Sequence, residues 1–323
     1  MVLLIDFIIV FIGIAAVVLS ADYAINGSIA IARRFKLSDT FIGMTILAIG
    51  TSLPEIMTAV IASIKILINP VHMDVLSGLV LGTNLGSDIF QQNFVLSVVA
   101  ILGVIIVHKR QLIEDMGGLL GATALLFLFT LNGFLSRIEG AILVGGYLCY
   151  LYFLKKEEQN NNKEKKSITN KLTKNMIVVL ASFIIMAVSA HFVINYSEKI
   201  VESLNISASF FGVIILGVAA ALPELTTAML AVKKHRSAIS AGVLIGSNIT
   251  NPMLALGLGA LISGYNVAKV VTFFDLPVKF ITALILSGLL WKNEKLKKNY
   301  AVIMILVYLA YLTIRRVYFP VDF

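Results

Sequence analysis

The chain has 323 residues, of which 59% are hydrophobic and 14% charged, and its formal net charge is +8. An ordinary soluble domain carries roughly 25% charged residues, so this composition excludes a soluble globular protein. The basic residues stand in short loops beside apolar stretches, a pattern that reflects orientation in a membrane and argues against a nucleic-acid partner.

Apolar stretches of about 20 residues, the length needed to cross hydrocarbon, recur along the whole chain. The first run, residues 3–20, lacks the basic segment that precedes the apolar core of a signal peptide, so we expect it to form a helix of the mature protein. The pattern predicts an all-α integral membrane protein with ten transmembrane helices. They are predicted near residues 3–33, 38–67, 75–106, 112–131, 136–154, 176–204, 208–232, 238–263, 271–291 and 300–318.

A polar, charged segment separates the first five predicted helices from the last five, and its composition is typical of a loop. We therefore predict a first five-helix repeat at 1–154, a linker at 155–175 and a second five-helix repeat at 176–323. The loops on the linker's side contain most of the 26 Lys and Arg residues. The positive-inside rule then places the linker in the cytoplasm and both termini outside the cell membrane.

Two sequence motifs occur once in each half. LAIGTSLPEIMTA (47–59) aligns with LGVAAALPELTTA (216–228) at an offset of 169 residues, and LVLGTNLGSDIFQQN (79–93) aligns with GVLIGSNITNPM (242–253) at an offset of 160. Because each half has an odd number of predicted spans, the halves should enter the membrane in opposite orientations. Inverted repeats of this kind place a binding site near the middle of the membrane.

The first motif places a carboxylate, Glu55 or Glu224, in the middle of an apolar helix in each half. An ionisable side chain there costs about 2.5–3.5 kcal/mol, so a matched pair indicates function rather than two neutral packing residues. Pro54 and Pro223 precede the glutamates and remove a backbone donor from each helix. We expect the carbonyls freed around 48–51, and at the equivalent turn of the second half, to be available to cations.

The second motif supplies hydroxyls and amides. Ser87 and Ser247 occupy equivalent positions, and Gln91 and Asn251 each follow four residues later. Close packing around the neighbouring glycines is the alternative explanation for either serine. Together with the two carboxylates, these groups form an all-oxygen set that suits a hard ion such as Ca²⁺.

Asp88, Asp275 and Lys279 are further charged residues within predicted spans. Asp88 stands where the second half has Asn248, and the sequence leaves open whether it is a third site carboxylate or faces a polar crevice. Asp275 and Lys279 are spaced i, i+4, which predicts a structural ion pair on one helix face.

The segments GTSLPE (50–55), ALPEL (221–225) and GSNITN (246–251) resemble the sodium/calcium exchanger family, prokaryotic type, of the wider cation/Ca²⁺ exchanger superfamily. The resemblance extends over essentially the whole chain. It implies a secondary-active antiporter that exchanges Ca²⁺ for Na⁺ by alternating access, in which the helices near 3–33 and 176–204 slide across the rest. Its partners would be inorganic cations and the lipid bilayer, with no cofactor, no catalytic residue and no protein partner.

The resemblance also implies ligand roles for nine residues of this chain. The central Ca²⁺ ligands would be the Glu55 and Glu224 carboxylates and the Thr51 and Ala220 carbonyls. The residues implied near monovalent-ion sites, or flanking the divalent site, are Ser52, Ser87, Ser247, Gln91 and Asn251.

The chain departs from the family pattern before its second glutamate. Ala219, Ala220 and Ala221 stand where the family usually repeats Gly-Thr-Ser, so hydroxyls that would help to hold Na⁺ are absent. A Ca²⁺/H⁺ antiporter is therefore the alternative, and a non-transporting, cation-sensing membrane protein is a third hypothesis. Asn251 stands where prokaryotic and potassium-dependent relatives commonly have Asp, which argues against K⁺ dependence.

Overall fold

The computed structural model describes residues 2–34, 42–102, 109–160, 172–233, 237–293, 295–319 and 321–322. We label the helices of these residues in chain order. They are α1 (Val2–Arg34), α2 (42–68), α3 (Pro70–Leu102), α4 (Lys109–Thr130), α5 (Arg137–Asn160), α6 (Leu172–Leu204), α7 (Ala208–Lys233), α8 (237–263), α9 (271–293) and α10 (Lys298–Tyr318). Two short strands, β1 (Phe134–Leu135) and β2 (Tyr265–Asn266), complete the secondary structure of the described residues.

Eight of the helices in this part of the chain are long and apolar enough to cross a membrane: α1, α3 and α5–α10. Helix α2 is bent by 53° between Met44–Thr51 and Leu53–Ile68, and it adds a ninth span if the bent pair is taken as one. The apolar part of α4, Asp115–Thr130, is shorter, because charged residues occupy the first turns of that helix. The all-α membrane fold is thus confirmed with eight or nine spans, and the tenth stays a prediction.

The segment 155–175, predicted as a linker, is partly helical at both of its ends. Helix α5 continues through Asn160 and α6 begins at Leu172, so both ends of the predicted loop are helical. Lys, Glu and Gln are good helix formers, which explains why α5 does not stop where its apolar residues stop. Residues 161–171 lie outside the described residues.

Helices α1 and α6 pack along each other at the edge of the bundle. Gly13 of α1 lies against Val193 of α6, and Gly27 lies against Val179, so the two helices are antiparallel. Large apolar side chains of α1 and α6 are exposed on the outer surface, as suits contact with lipid rather than water.

Helices α3 and α8 are the most buried spans and form the core with α2 and α7. A Cβ at Gly86 of α3 would meet the backbone of Val213, and one at Gly217 of α7 would meet the backbone of Gly86. A Cβ at Gly246 of α8 would meet Ala48 of α2 at 2.8 Å. Gly86 aligns with Gly246 in the repeat, and Ala48 aligns with Gly217. The contact of α3 with α7 and the contact of α8 with α2 are therefore made by equivalent positions of the two repeats.

Backbone and side-chain contacts join the turns at one end of the bundle. Strands β1 and β2 pair antiparallel between the α4–α5 and α8–α9 turns. Asp322, beyond α10, accepts hydrogen bonds from Ser207 Oγ at 2.6 Å and from the Ser209 N–H at 3.1 Å, at the start of α7. We call this end the turn end of the bundle.

A polar cluster at the turn end, here called the latch, joins α6 to α2 and α3. Glu198 of α6 forms an ion pair with Lys65 of α2, and its Oε1 lies 2.7 Å from His72 Nδ1 at the start of α3. Glu202, one turn later on α6, lies 3.4 Å from the same His72 nitrogen. Elsewhere α1 and α6 contact the core largely through apolar side chains.

Candidate cation-binding site

The bend in α2 falls where Pro54 predicts a broken helix. Pro54 has no N–H to donate to the Gly50 carbonyl one turn earlier. The backbone hydrogen bonds that bridge the break join Ser52 to Ala48 at 3.1 Å and Ile56 to Ser52 at 2.9 Å. They do not include the Thr51 carbonyl, whereas the Ala48 carbonyl, which we expected to be free, is bonded.

Helix α7 is interrupted in the same way before Pro223. The N–H of Ala221 donates to the Gly217 carbonyl at 3.1 Å, and the N–H of Leu225 donates to the Ala221 carbonyl at 3.1 Å. The Ala220 carbonyl is not part of these bridging bonds. Both breaks therefore free a shorter stretch of carbonyls than predicted, because two backbone hydrogen bonds continue across each of them.

Glu55 lies just after the first break and is fully buried. Its Oε1 accepts a hydrogen bond from Ser87 Oγ at 2.6 Å, and Ser87 Oγ accepts one from Gln91 Nε2 at 2.9 Å. Among the described residues, the second oxygen, Glu55 Oε2, has no hydrogen-bond partner. The structure thus brings Glu55, Ser87 and Gln91 into one chain of contacts between α2 and α3.

Glu224 is also fully buried, but neither of its carboxylate oxygens has a hydrogen-bond partner within the described part of the chain. Its polar neighbours are the hydroxyls of Thr51 and Ser247, which are 3.1 Å from each other. Glu55 is a further neighbour. The two glutamates of the repeated motif therefore lie in one region between the core helices.

Asp88 forms an ion pair with Lys279 of α9, and both side chains are buried. The other carboxylate oxygen of Asp88 accepts a hydrogen bond from Asn251 Nδ2 at 2.7 Å. Lys279 Nζ also donates to the Asn248 carbonyl at 3.3 Å. Asp88 is thus beside a candidate ligand, Asn251. Its carboxylate is buried and paired with a lysine, and it does not face a polar crevice.

The predicted Asp275–Lys279 pair is wrong. Asp275 instead lies 3.2 Å from Arg315 Nε of α10 and accepts a hydrogen bond from Tyr311 Oη at 2.9 Å. The i, i+4 spacing permits a contact between the two side chains on an isolated helix. In the structure, each of them instead forms an ion pair with a buried residue of a neighbouring helix. A buried charge needs such a partner more than an exposed one does.

All ten residues selected from the sequence are buried. Seven of them have contacts that link them to the two glutamates or to each other: Glu55, Ser87, Gln91, Thr51, Ser247, Asp88 and Asn251. Ser52 lies at the α2 break with its hydroxyl unpartnered among the described residues, and Ala220 lies at the α7 break.

Lys279 belongs to this region, although its spacing predicted a pair with Asp275. Two unmatched charges were visible in the sequence. Asp88 is an acid whose repeat counterpart is neutral, and Lys279 is a base within an apolar span whose counterpart at an offset of 160 is Leu119. An extra acid in one half and an extra base in the other favour a pair between the halves.

The region presents oxygen ligands from carboxylate, hydroxyl, amide and carbonyl groups. With all acids ionised, Glu55, Glu224 and Asp88 contribute three negative charges, and Lys279 contributes one positive charge. A net charge of minus two equals the charge of one divalent cation with opposite sign. Hard cations such as Ca²⁺ take oxygen ligands of these kinds.

The sequence matches a family model described as sodium/calcium exchanger protein, over residues 5–156 and 174–317. A similar protein is the sodium/calcium exchanger MaX1 of Methanosarcina acetivorans, which is 26% identical over 96% of this chain and 98% of the relative. The inner membrane protein YrbG of Escherichia coli is 28% identical over 88% of each chain.

Solved structures of the sodium-calcium exchanger NCX_Mj are similar to this chain in fold. One, soaked with 10 mM Na⁺ and 10 mM Sr²⁺, has a TM-score of 0.69 and 26% identity, and covers 96% of this chain and 98% of that chain. Another, soaked without Na⁺ and Ca²⁺, has a TM-score of 0.67 and 27% identity, and covers 97% of this chain and 99% of that chain.

Proposed function

Because the chain belongs to the sodium/calcium exchanger family, we propose that it is an antiporter that exchanges Ca²⁺ for Na⁺ by alternating access. The family and the apolar helices establish a multi-pass membrane protein for cation/Ca²⁺ exchange. The counter-ion, the ligands, the alternating movement and the orientation are the parts that we propose.

The observation that carries the proposal is the set of unpartnered carboxylate oxygens at the two helix breaks. Glu55 Oε2 and both oxygens of Glu224 are buried without a hydrogen-bond donor among the described residues. A buried carboxylate without a partner costs several kcal/mol, so such a pair is stable only if a cation or protons compensate it. A Ca²⁺ ion between the two glutamates would satisfy these oxygens.

The proposed ligand set extends from the glutamates to the groups around them. The carbonyls of Thr51 and Ala220 are left out of the backbone bonds that bridge the breaks. Ser52 Oγ and Asn251 Oδ1 are buried and unpartnered in the described part of the chain, so both have a free lone pair for a cation. We assign the remaining flanking positions to the hydroxyls and amide of Ser87, Ser247 and Gln91.

Three features support alternating access. The site residues are buried among the described residues, as an occluded intermediate of such a cycle requires. The repeat-equivalent contacts at Gly86 and Gly246 suit two halves related by inversion. A cavity of about 20 Å³, lined in part by Pro54 and Ala220, lies where α1 and α6 cover the helix breaks. The contacts of α1 and α6 with α2 around it are apolar, as expected of two surfaces that slide past each other.

The proposed topology has ten spans, the linker in the cytoplasm and both termini outside. The turn end of the bundle would then face outward. It contains the α2–α3, α4–α5, α6–α7 and α8–α9 turns, together with Asp322. This orientation rests on the excess of basic residues in the opposite set of loops.

Proton coupling is the second candidate, and one observation favours it. Ala220 and Ala221 are buried at the α7 break, at the positions that correspond to Thr51 and Ser52 of α2. The second half therefore lacks two hydroxyl ligands that a Na⁺ ion would use. Two protons on Glu55 and Glu224 would balance one Ca²⁺ as well as Na⁺ ions do.

The test is uptake of radioactive Ca²⁺ into liposomes that contain the purified protein. An outward Na⁺ gradient at equal pH should drive Ca²⁺ uptake, and an ionophore that collapses the Na⁺ gradient should abolish it. Uptake driven only by a pH gradient would establish the proton-coupled alternative. No Ca²⁺ movement under either gradient would contradict both, and Ca²⁺ binding without exchange would favour a cation sensor.

A further inference from the structure

A lysine side chain reaches the candidate site from a helix outside the repeated motifs. Lys279 lies on α9, is fully buried, and pairs with Asp88 of α3. Its ammonium also donates to the Asn248 carbonyl of α8 at 3.3 Å. An ammonium group has three donors and no acceptor, so each oxygen around it receives a positive charge as it would from a metal cation.

The Asp88–Lys279 pair is connected to the two glutamates through the candidate ligands. Asn251, whose amide donates to Asp88, keeps its Oδ1 free of partners among the described residues. Asn248 Nδ2 lies 3.4 Å from Gln91 Oε1, and Gln91 leads through Ser87 to Glu55. The pair is therefore connected by hydrogen bonds to the polar side chains that surround the proposed Ca²⁺ position.

The Lys279 ammonium lies against two oxygens of kinds that also bind monovalent cations. One carboxylate oxygen and one backbone carbonyl contact it, and both are oxygen ligands that alkali cations accept. The lysine has no counterpart in the first half, where Leu119 is the equivalent residue. Asp88 is likewise an acid without an acidic counterpart.

We propose that the Lys279 ammonium is a tethered monovalent cation, which occupies at Asp88 and the Asn248 carbonyl a place that a mobile monovalent ion would otherwise take. It fixes the charge available to transported ions at the two glutamates, and it removes one mobile monovalent ion from the exchange cycle. This inference rests on the proposed cation exchange and adds to it a residue that determines which ions the site accepts.

The other buried ion pair provides a comparison within the same molecule. Asp275 and Arg315 also join α9 to another helix. The further partner of Asp275 is Tyr311, and those of Arg315 are the Phe319 carbonyl, Ser209 Oγ at the start of α7 and Asp322. None of these groups belongs to the candidate site. Breaking that pair should affect the stability of the fold without changing cation binding.

The experiment measures Ca²⁺ affinity of the purified full-length protein in detergent, and Ca²⁺ exchange in liposomes, for Asp88→Asn, Lys279→Met and the double variant. Asp88→Asn leaves the ammonium uncompensated, so Ca²⁺ affinity should fall by about tenfold or more through charge repulsion at short range. Adding Lys279→Met to Asp88→Asn should return the affinity to within about threefold of the unmodified protein, because additivity fails for residues in contact.

Lys279→Met alone leaves the Asp88 carboxylate without its cation. This variant should gain a saturable stabilisation by Na⁺, K⁺ or Li⁺ in thermal unfolding, with choline as the inert cation. The unmodified protein and the double variant should not gain it. Asp275→Asn is the matched control for a broken buried ion pair, and should lower thermal stability with unchanged Ca²⁺ affinity.

A purely structural role would give a different pattern. Folded Asp88→Asn protein with unchanged Ca²⁺ affinity, or Lys279→Met protein without monovalent-cation dependence, would overturn the inference. If Lys279→Met does not fold, Lys279→Gln retains an amide donor to Asp88 and replaces it in the same comparison. Failure of the unmodified protein to bind or exchange Ca²⁺ would instead contradict the proposed function.

Discussion

Ser87 Oγ on α3 donates a hydrogen bond to Glu55 Oε1 on α2 at 2.6 Å, across the interface of the two most conspicuous sequence motifs of the first half. Glu224 in the second half has no such donor within hydrogen-bond geometry among the described residues. The two glutamates therefore differ in how they are held, although their sequence contexts match. Ser87 positions one oxygen of Glu55 and leaves the other free.

Replacing either glutamate with glutamine should abolish exchange. Glu55→Gln and Glu224→Gln keep the shape of the side chain and remove its charge, so Ca²⁺ flux in liposomes should fall by at least about a hundredfold, which corresponds to roughly 2.7 kcal/mol. Glu202→Gln, which changes a half-exposed glutamate of α6, is the control and should leave the flux near that of the unmodified protein. Persistent exchange in both site variants would show that these carboxylates do not bind the transported ion.

Removing the Ser87 hydroxyl should weaken Ca²⁺ binding without abolishing it. Ser87→Ala removes a proposed flanking ligand and the donor that positions Glu55 Oε1, so Ca²⁺ affinity should fall by roughly tenfold, or about 1.4 kcal/mol. Ser97→Ala is a matched control, because Ser97 is a buried serine of the same helix whose hydroxyl has no partner among the described residues. Equal effects of the two substitutions on Ca²⁺ affinity would argue against a positioning role for Ser87.

Adding a hydroxyl at the α7 break should favour Na⁺. Ala221 corresponds to Ser52, and Ala221→Ser supplies one of the missing oxygens with a small increase in volume. We expect half-saturation of Na⁺-driven Ca²⁺ uptake at a several-fold lower Na⁺ concentration. Ala219→Ser, at the position that corresponds to Gly50, is the control. An unchanged Na⁺ dependence in Ala221→Ser would count against Na⁺ binding at this break.

The close contact of α3 with α7 depends on a glycine. A Cβ at Gly86 would lie within van der Waals overlap of the Val213 backbone, so Gly86→Ala should destabilise the protein by about 1–3 kcal/mol through overpacking. Gly121→Ala on α4 adds the same methyl where nothing lies within 4 Å. Thermal unfolding in detergent should show a lower midpoint for Gly86→Ala only; equal midpoints would mean that the helices tolerate a wider separation.

Much of the fold could be predicted from the sequence, because helix length and the repeated motifs are local properties. The helix boundaries differ from the predicted ones by a few residues, and the bend before Pro54 follows from a missing N–H. The partners of the buried charges could not be predicted in the same way. Asp275 and Lys279 are near in sequence, but each pairs with a residue of another helix. Asp275 pairs with Arg315, and Lys279 pairs with Asp88.

The repeat alignment selected residues that lie close together in the structure, but it did not predict their hydrogen bonds. Repeat alignment selected Ser87 and Ser247 as equivalents, yet Ser87 bonds to Glu55 while Ser247 lies 3.1 Å from Thr51. The difference has a cause that is visible in the sequence. Thr51 has a hydroxyl and its counterpart Ala220 has none, so the two serines have different polar neighbours available.

The latch should contribute a small part of the stability. Glu198 is buried beside Lys65 and His72, so Glu198→Gln should lower the free energy of unfolding by about 1 kcal/mol, the upper range for partly exposed pairs. Glu202→Gln, one turn later and half-exposed, should have a smaller effect. Thermal unfolding at low and high ionic strength checks both, and salt should reduce the difference. A larger effect of Glu202→Gln would show that His72 pairs mainly with Glu202.

The latch occurs at one end of the bundle, and the position equivalent to Glu198 in the first half is Ile29, which carries no charge. Two halves with matching contacts at both ends would make the inward-facing and outward-facing conformations nearly equal in energy. In the proposed alternating-access cycle, a bond of about 1 kcal/mol that formed in only one of these conformations would shift their ratio by roughly fivefold before any ion binds. The empty carrier would then rest with a preferred orientation, and ions on the two sides would meet open sites in unequal numbers.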